Sequence, residues 1–160
     1  MTIIDSHIFK VLSNNKDIAD KLKQETKVNN HIPYEQVRNR ECDFIVQYRF
    51  FSEEEGGRKT ANPIQGYRSD FMYSGDENLK QLWMIWPEFL DNENNIILDK
   101  SIRVSTSGKA KMWILNETLY ELHKDRIKIG LKGFFMEGPH KVAECEVIQV
   151  VTLSLVNVIK

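Results

Sequence analysis

Residues 42–50 read Cys-Asp-Phe-Ile-Val-Gln-Tyr-Arg-Phe, and this stretch decides the fold. Apolar side chains occupy every second position, at Cys42, Phe44, Val46, Tyr48 and Phe50. Side chains two residues apart share one face of a β-strand, so the alternation predicts a strand with one buried face. We expect this strand to span residues 42–51.

Five further segments carry apolar residues in strand-like patterns and lie between turn sequences. They span residues 67–73, 79–86 (closed by Pro87), 109–115, 127–131 (interrupted by Gly130 and Gly133) and 141–151. Six strands separated by turns at short intervals are typical of antiparallel barrels and sandwiches. We therefore predict an all-β fold, a closed antiparallel barrel of six strands. Residues 116–125 fit either a helical turn or a loop.

Residues 1–40 have a different pattern. Ile8 and Leu12, and later Ile18 and Leu22, are four residues apart, which is the spacing of one helix face. We predict a helical N-terminal extension over residues 1–40 and a β-barrel domain over residues 41–160. The β-prone tail, residues 148–159, would be hazardous as a free edge, so we expect it to pair with another segment.

Composition excludes several classes of protein. The 160 residues are 41% hydrophobic and 28% charged, with a net charge of −1, which is the balance of a globular chain. No overall positive field exists to hold nucleic acid or an anionic membrane, so such binding needs a local patch. The start lacks a signal-peptide pattern and no apolar run is long enough to span a bilayer, so we expect a cytoplasmic protein without membrane contact.

No residue pattern in the chain indicates catalysis. The four histidines have no metal-ligand spacing, and neither a phosphate-binding loop nor a nucleophile elbow is present. Cys42 and Cys145 lie in apolar-alternating segments, which favours small core side chains, although a single bridge between them remains open. We expect no enzyme activity, no metal, no cofactor and no small-molecule substrate.

A pair of short motifs follows the first strand. Residues 54–60 read Glu-Glu-Gly-Gly-Arg-Lys-Thr, and Gly66-Tyr67-Arg68 follows, with Phe71 beyond it. The Gly-Gly pair permits positive φ at a tight corner, and each arginine offers planar donors to carboxylates or carbonyls. These roles within the fold compete with a role in docking a partner.

The two motifs together resemble the third domain of translation elongation factor Tu, its C-terminal β-barrel. In that family an acidic-Gly-Gly-Arg-x-Thr turn precedes a Gly-Tyr-Arg-x-x-Phe strand, with the same spacing as here. The resemblance covers roughly residues 41–151 and implies a solitary copy of that domain, a closed six-stranded Greek-key barrel, without the factor's GTPase domain.

The resemblance implies a non-enzymatic binding module that docks to a protein or tRNA partner of the translation machinery. The alternative is an immunity or antitoxin-like protein that binds a toxin by imitating elongation factor Tu. The candidates for partner contact are Glu55, Gly56, Gly57, Arg58, Thr60, Gly66, Tyr67, Arg68, Glu137, Gly138, His140 and Lys141.

The stretch at residues 136–146 resembles the family's terminal hairpin but departs from it. Met136 stands where the family has an arginine, and Glu144 where it has a glycine. Both changes remove positive charge or add negative charge where tRNA phosphates would lie, so a protein partner is favoured and tRNA binding is weakened. Trp86, which precedes Pro87, and Phe51, on the outer phase of the first strand, are further candidates for a partner patch. A basic stripe around Arg38, Arg40, Arg58 and Arg68 would favour RNA.

Overall fold

The computed structural model describes residues 29–153. It holds six strands, which are β1 (Phe44–Phe50), β2 (Asp70–Tyr73), β3 (Ile85–Phe89), β4 (Ser107–Ile114), β5 (Lys132–Glu137) and β6 (His140–Val150). Two short α-helices, α1 (Tyr34–Arg38) and α2 (Tyr120–Arg126), accompany them in the described part, with 3₁₀ turns at Glu77–Leu79 and Glu117–Leu119. The helices predicted before residue 29 and residues 154–159 of the tail lie outside the described residues.

The strands form one antiparallel sheet in the order β2-β5-β6-β1-β4-β3, curled into a half-barrel. The prediction of six antiparallel strands is confirmed, in a mostly β fold with few helices, but the predicted closure is wrong. The edge strands β2 and β3 form no ladder, and only Phe71 and Trp83 bridge that gap, by two backbone hydrogen bonds of 2.9 Å. The barrel does not close because β2, with four residues, is too short to form a ladder with β3. In addition, Pro87 in β3 lacks the N–H that such a ladder would use.

The core lies on the concave face of the curled sheet. The five alternating side chains of the β1 segment are at most 5% exposed, as predicted. Phe71, Phe89 and Phe135 from the other strands complete this core. Burying one such side chain contributes about 1.5–3 kcal/mol, so the aromatic core supplies much of the drive for the sheet to curl.

The observed strands correct two predicted segments. β1, β4 and β6 lie where predicted, and β2 is shorter than predicted. The third strand begins only at Ile85 and contains Pro87 instead of ending before it. The fifth begins at Lys132, because residues 127–131 form the cap and the turn that follow α2, with Ile127 N–H donating to the His123 carbonyl at 2.7 Å.

Residues 117–125, which fit either a helical turn or a loop, are helical, and Asn116 caps them. Cys42 and Cys145 are both buried and unbridged, so the core interpretation is confirmed. Within residues 29–153 no helix has both the length and the apolar character needed to cross a membrane.

Two buried carboxylates fasten the segment before β1 to the sheet. Glu88 accepts hydrogen bonds from His31 Nε2 at 2.5 Å, the Tyr34 N–H at 2.8 Å and Trp113 Nε1 at 3.1 Å. Asp43 accepts from Arg40 Nη1 at 3.0 Å and from the Ile114 N–H at 2.7 Å. A buried carboxylate requires such partners, so these contacts fix the position of residues 30–43 against β3 and β4.

Candidate functional site

The structure brings three segments that the sequence analysis selected into contact with one another. We call residues 55–60, 66–68 and 137–141 the motif surface. Arg58 Nη1 lies 2.5 Å from Glu137 Oε2, and the Tyr67 hydroxyl donates to the same carboxylate oxygen. The Arg58 guanidinium also lies over the Tyr67 ring, 5.3 Å from its centroid. A turn after β1 and the β5–β6 hairpin are thereby joined through one carboxylate.

A second contact ties the same two loops. His140 Nε2 lies 2.5 Å from the Gly56 carbonyl oxygen. The hairpin that carries His140 turns at Gly138, whose φ is +58°. The motif surface is therefore held at two points, from the Gly-Gly turn to the hairpin.

The two adjacent glycines of the turn serve different purposes. Gly56 has φ of +92°, a left-handed conformation that favours glycine, as the sequence predicts. Gly57 is buried, and a Cβ added there would lie 2.1 Å from the Phe51 carbonyl oxygen. Its N–H donates to the Ser52 carbonyl at 2.8 Å. Gly57 is thus required by the close approach of two backbone segments and not by φ.

Charged side chains beside this turn form ion pairs with one another. Arg49 donates to both carboxylate oxygens of Glu55, at 2.8 and 3.0 Å, and to Glu144 at 3.1 Å. The hydrogen bonds from Arg49 lower the pKa of Glu55 to about 2, with the Ser52 N–H assisting. Glu144, expected to weaken phosphate binding, therefore helps to neutralise a neighbouring arginine.

The rest of the hairpin lines an apolar cleft. Met72, Leu82, Met136 and Pro139 form the lining of a cleft of about 540 Å³, with Lys141 among the polar residues. Met136 is buried in the outer face of β5 and is not an exposed substitute for an arginine. Lys141 donates to Glu77 at 3.1 Å and lies over the Phe134 ring.

Arg68 does not join the Arg58–Glu137 contact. It is exposed and lies over the Trp86 ring, 4.8 Å from its centroid. Phe51, the other predicted outer aromatic, is covered in the same way by Arg49 at 5.3 Å. Both aromatic candidates thus carry an arginine of the same chain on one ring face.

Of the four arginines proposed as a basic stripe, two are engaged. Arg40 pairs with Asp43 and Glu117, and Arg58 with Glu137. Sequence reasoning instead missed two cations, Lys100 and Arg103, which lie beside Gly66 and Tyr67 in neighbouring hollows. Their only sequence signal is positive charge in a polar loop, which is typical of any solvated turn.

The cysteine and histidine side chains that could act as a nucleophile or a base include Cys145 and His123, which are buried in the core. Burial raises the pKa of the Cys145 thiol, which keeps it protonated. Buried His123 shares a hydrogen bond of 2.6 Å between Nδ1 and the Tyr73 hydroxyl, and burial lowers its pKa to about 4. Among residues 29–153, no three His, Cys, Asp or Glu side chains converge as metal ligands.

Neither a scan against protein-family models nor a search of the curated proteins finds a match to this sequence.

Proposed function

We propose that this protein is a non-enzymatic binding module of the cytoplasm, similar to a solitary third domain of elongation factor Tu. In this proposal it docks to a partner in the translation machinery through the motif surface. The observation that carries the proposal is the contact of Arg58 and Tyr67 with Glu137. The Gly-Gly turn and the β5–β6 hairpin form one surface through this contact, although Arg58 and Glu137 are 79 residues apart.

The ion pairs beside the Gly-Gly turn favour a protein over tRNA at that part of the motif surface. Arg49 and Arg58 both face carboxylates of the same chain, so neither offers a free guanidinium to a phosphate. Affinity for nucleic acid depends on cations that displace counterions from phosphates, and a neutralised arginine contributes little. Beside these pairs, the cleft of Met72 and Met136 offers an apolar, adaptable lining of the kind that suits protein side chains.

The test is affinity capture from lysate with the tagged chain, with bound RNA and bound protein both identified. Pro139→Glu places a charge at the exposed hairpin tip, and Asn92→Glu makes the same change in charge in a loop outside the motif surface. We expect a translation protein to be captured by the wild type and by Asn92→Glu, and lost with Pro139→Glu.

Two results decide against this function. Capture of tRNA that falls steeply as salt is raised assigns the surface to RNA. Capture that is the same for wild type and Pro139→Glu shows that the motif surface is not the docking site. Circular dichroism of each variant checks that the sheet is intact.

A further inference from the structure

Two adjoining hollows lie on one side of the motif surface. Their volumes are about 300 and 390 Å³, and Gly66 and Lys100 line both. Arg68 lines the first hollow, and Arg58 and Arg103 line the second. We call the two hollows together the cation cleft.

The cation cleft is unbalanced in charge. No carboxylate side chain lines either hollow. Arg58 is neutralised by Glu137, but Arg68, Lys100 and Arg103 form no ion pair with any residue in the described range 29–153.

None of the contacts that these three cations form neutralises their charge. Arg68 lies on Trp86, Arg103 donates to the Asn62 carbonyl at 3.1 Å, and the Lys100 side chain lies against Gly66. The neighbouring Asp99 accepts from the N–H and hydroxyl of Ser101 through Oδ1, and its side chain lines neither hollow. Three such cations in one concavity favour an anionic ligand.

Exposed aliphatic side chains accompany the cations. Ile32 lines the first hollow and Ile64 the second, and they are 59% and 37% exposed. Leu98 and Ile102, also exposed, flank Lys100 and Arg103 in the sequence. Covering exposed apolar surface with other apolar surface is favourable, and a phosphate group offers no apolar surface for this purpose. Cations alternating with aliphatic side chains therefore suit a protein segment better than RNA.

The aromatic rings near the cleft support the same choice. Single-stranded RNA gains affinity by stacking bases on aromatic rings. Of the rings that line the hollows, Tyr67 has Arg58 over one face, and Tyr34 packs edge-on against His31 and Trp113. Trp86, which lines neither hollow, has Arg68 over one face. Tyr67 also packs against Phe89 of the core.

We propose that the cation cleft binds a segment of the partner protein that alternates acidic and aliphatic residues. The carboxylates pair with Arg68, Lys100 and Arg103, and the aliphatic side chains cover Ile32 and Ile64. Arginine binds carboxylates in a bidentate manner, which fixes the orientation of the segment. This inference rests on the proposed function, because it names the chemistry of the partner that the motif surface docks.

The test is a titration followed by NMR of backbone amides, with a short synthetic peptide alternating Glu and Leu as the probe. We expect shifts at Gly66, Lys100 and Arg103, and binding about tenfold weaker for Lys100→Glu. Lys128→Glu is the matched control, because Lys128 is exposed, lines neither hollow and changes the net charge equally. Ile64→Ser should also weaken binding, whereas a peptide alternating Lys and Leu should not bind.

Four results overturn the inference. The first is equal loss in Lys100→Glu and Lys128→Glu, and the second is equal binding of the Lys-Leu peptide. The third is binding of polyuridylate RNA at these amides without binding of the Glu-Leu peptide. The fourth is self-association that Lys100→Glu abolishes, since this assigns the cleft to a second copy.

The capture experiment separates this inference from the proposed function. A translation protein captured equally by wild type and Lys100→Glu, but lost with Pro139→Glu, supports the proposed function and overturns the inference. Specific binding of the Glu-Leu peptide, when lysate yields no translation protein, supports the chemistry of the cleft and contradicts the proposed function.

Discussion

Alanine at Gly56 and alanine at Gly57 should differ in their effect on stability, although the residues are adjacent. At Gly57 the new Cβ would lie 2.1 Å from a backbone oxygen of Phe51, and ordinary contacts begin at 3.4 Å. The turn would have to retreat by more than about 1 Å, which breaks the hydrogen bond to Ser52 and displaces Arg58 from Glu137. We expect Gly57→Ala to cost about 3 kcal/mol of unfolding free energy.

Gly56→Ala meets no atom within 4 Å and is opposed only by its φ of +92°. A left-handed alanine costs about 1 kcal/mol. For a domain of this size the midpoint of thermal unfolding should fall by about 9 °C in Gly57→Ala and about 3 °C in Gly56→Ala. Circular dichroism during heating measures both values.

Asparagine at each position separates the two causes. Asparagine tolerates the left-handed region, so Gly56→Asn should be less harmful than Gly56→Ala. Gly57→Asn should be at least as harmful as Gly57→Ala, because the clash begins at Cβ. Equal losses for Gly56→Ala and Gly57→Ala, or relief by asparagine at Gly57, would refute the steric explanation.

Three further predictions concern the buried and paired groups. Glu88→Ala should cost about 3–5 kcal/mol in urea unfolding, because it leaves the Trp113 indole N–H and two other groups without an acceptor; Glu88→Gln should cost clearly less. The pKa of His123 is lowered from 6.5 to about 4, so below pH 6.5 the unfolded chain takes up the proton first. Unfolding free energy should therefore decline between pH 6.5 and 4, and a pH series should show a shallower decline in His123→Phe. Arg58→Ala and Glu137→Gln should be non-additive, with a coupling of about 1 kcal/mol in a double-mutant cycle, and simple additivity would show that the pair is not formed.

The sequence predicted β1 well because its alternation spans five apolar positions on one face. A shift of the pairing register by one residue would bury Gln47 and Arg49. A single pattern therefore determines both the strand and its buried face. The fifth strand was misplaced because Ile127 and Ile129 alternate over too few positions to separate a strand from a helix end. Ile127 is buried at the end of α2, and Ile129 is 74% exposed.

Closure of the barrel could not be predicted from local patterns. It depends on whether the two edge strands, β2 and β3, are long enough to meet along a ladder, which the alternation within either strand does not show. Proline usually ends a strand, but Pro87 lies within β3, where an edge strand tolerates the missing N–H on its unpaired side.

The candidate site was predictable only in part. The resemblance selected both halves of the motif surface, but no single sequence shows that Arg58 and Glu137 are in contact across 79 positions. Lys100 and Arg103 could not be predicted as site residues. A cation in a cleft differs from any other surface cation only in the residues around it, and the sequence does not show those.

In the proposed docking, the contacts of the motif residues divide their roles between structure and recognition. Arg58, Tyr67 and His140 each bind an atom of another loop, so they hold two loops together. A side chain engaged in this way contributes to recognition mainly by positioning its neighbours. Arg68, which follows Tyr67 directly, has no ion pair among the described residues and faces the cation cleft. Substitution of Arg58 should therefore reduce stability first and binding second, whereas substitution of Arg68 should reduce binding with little change in stability.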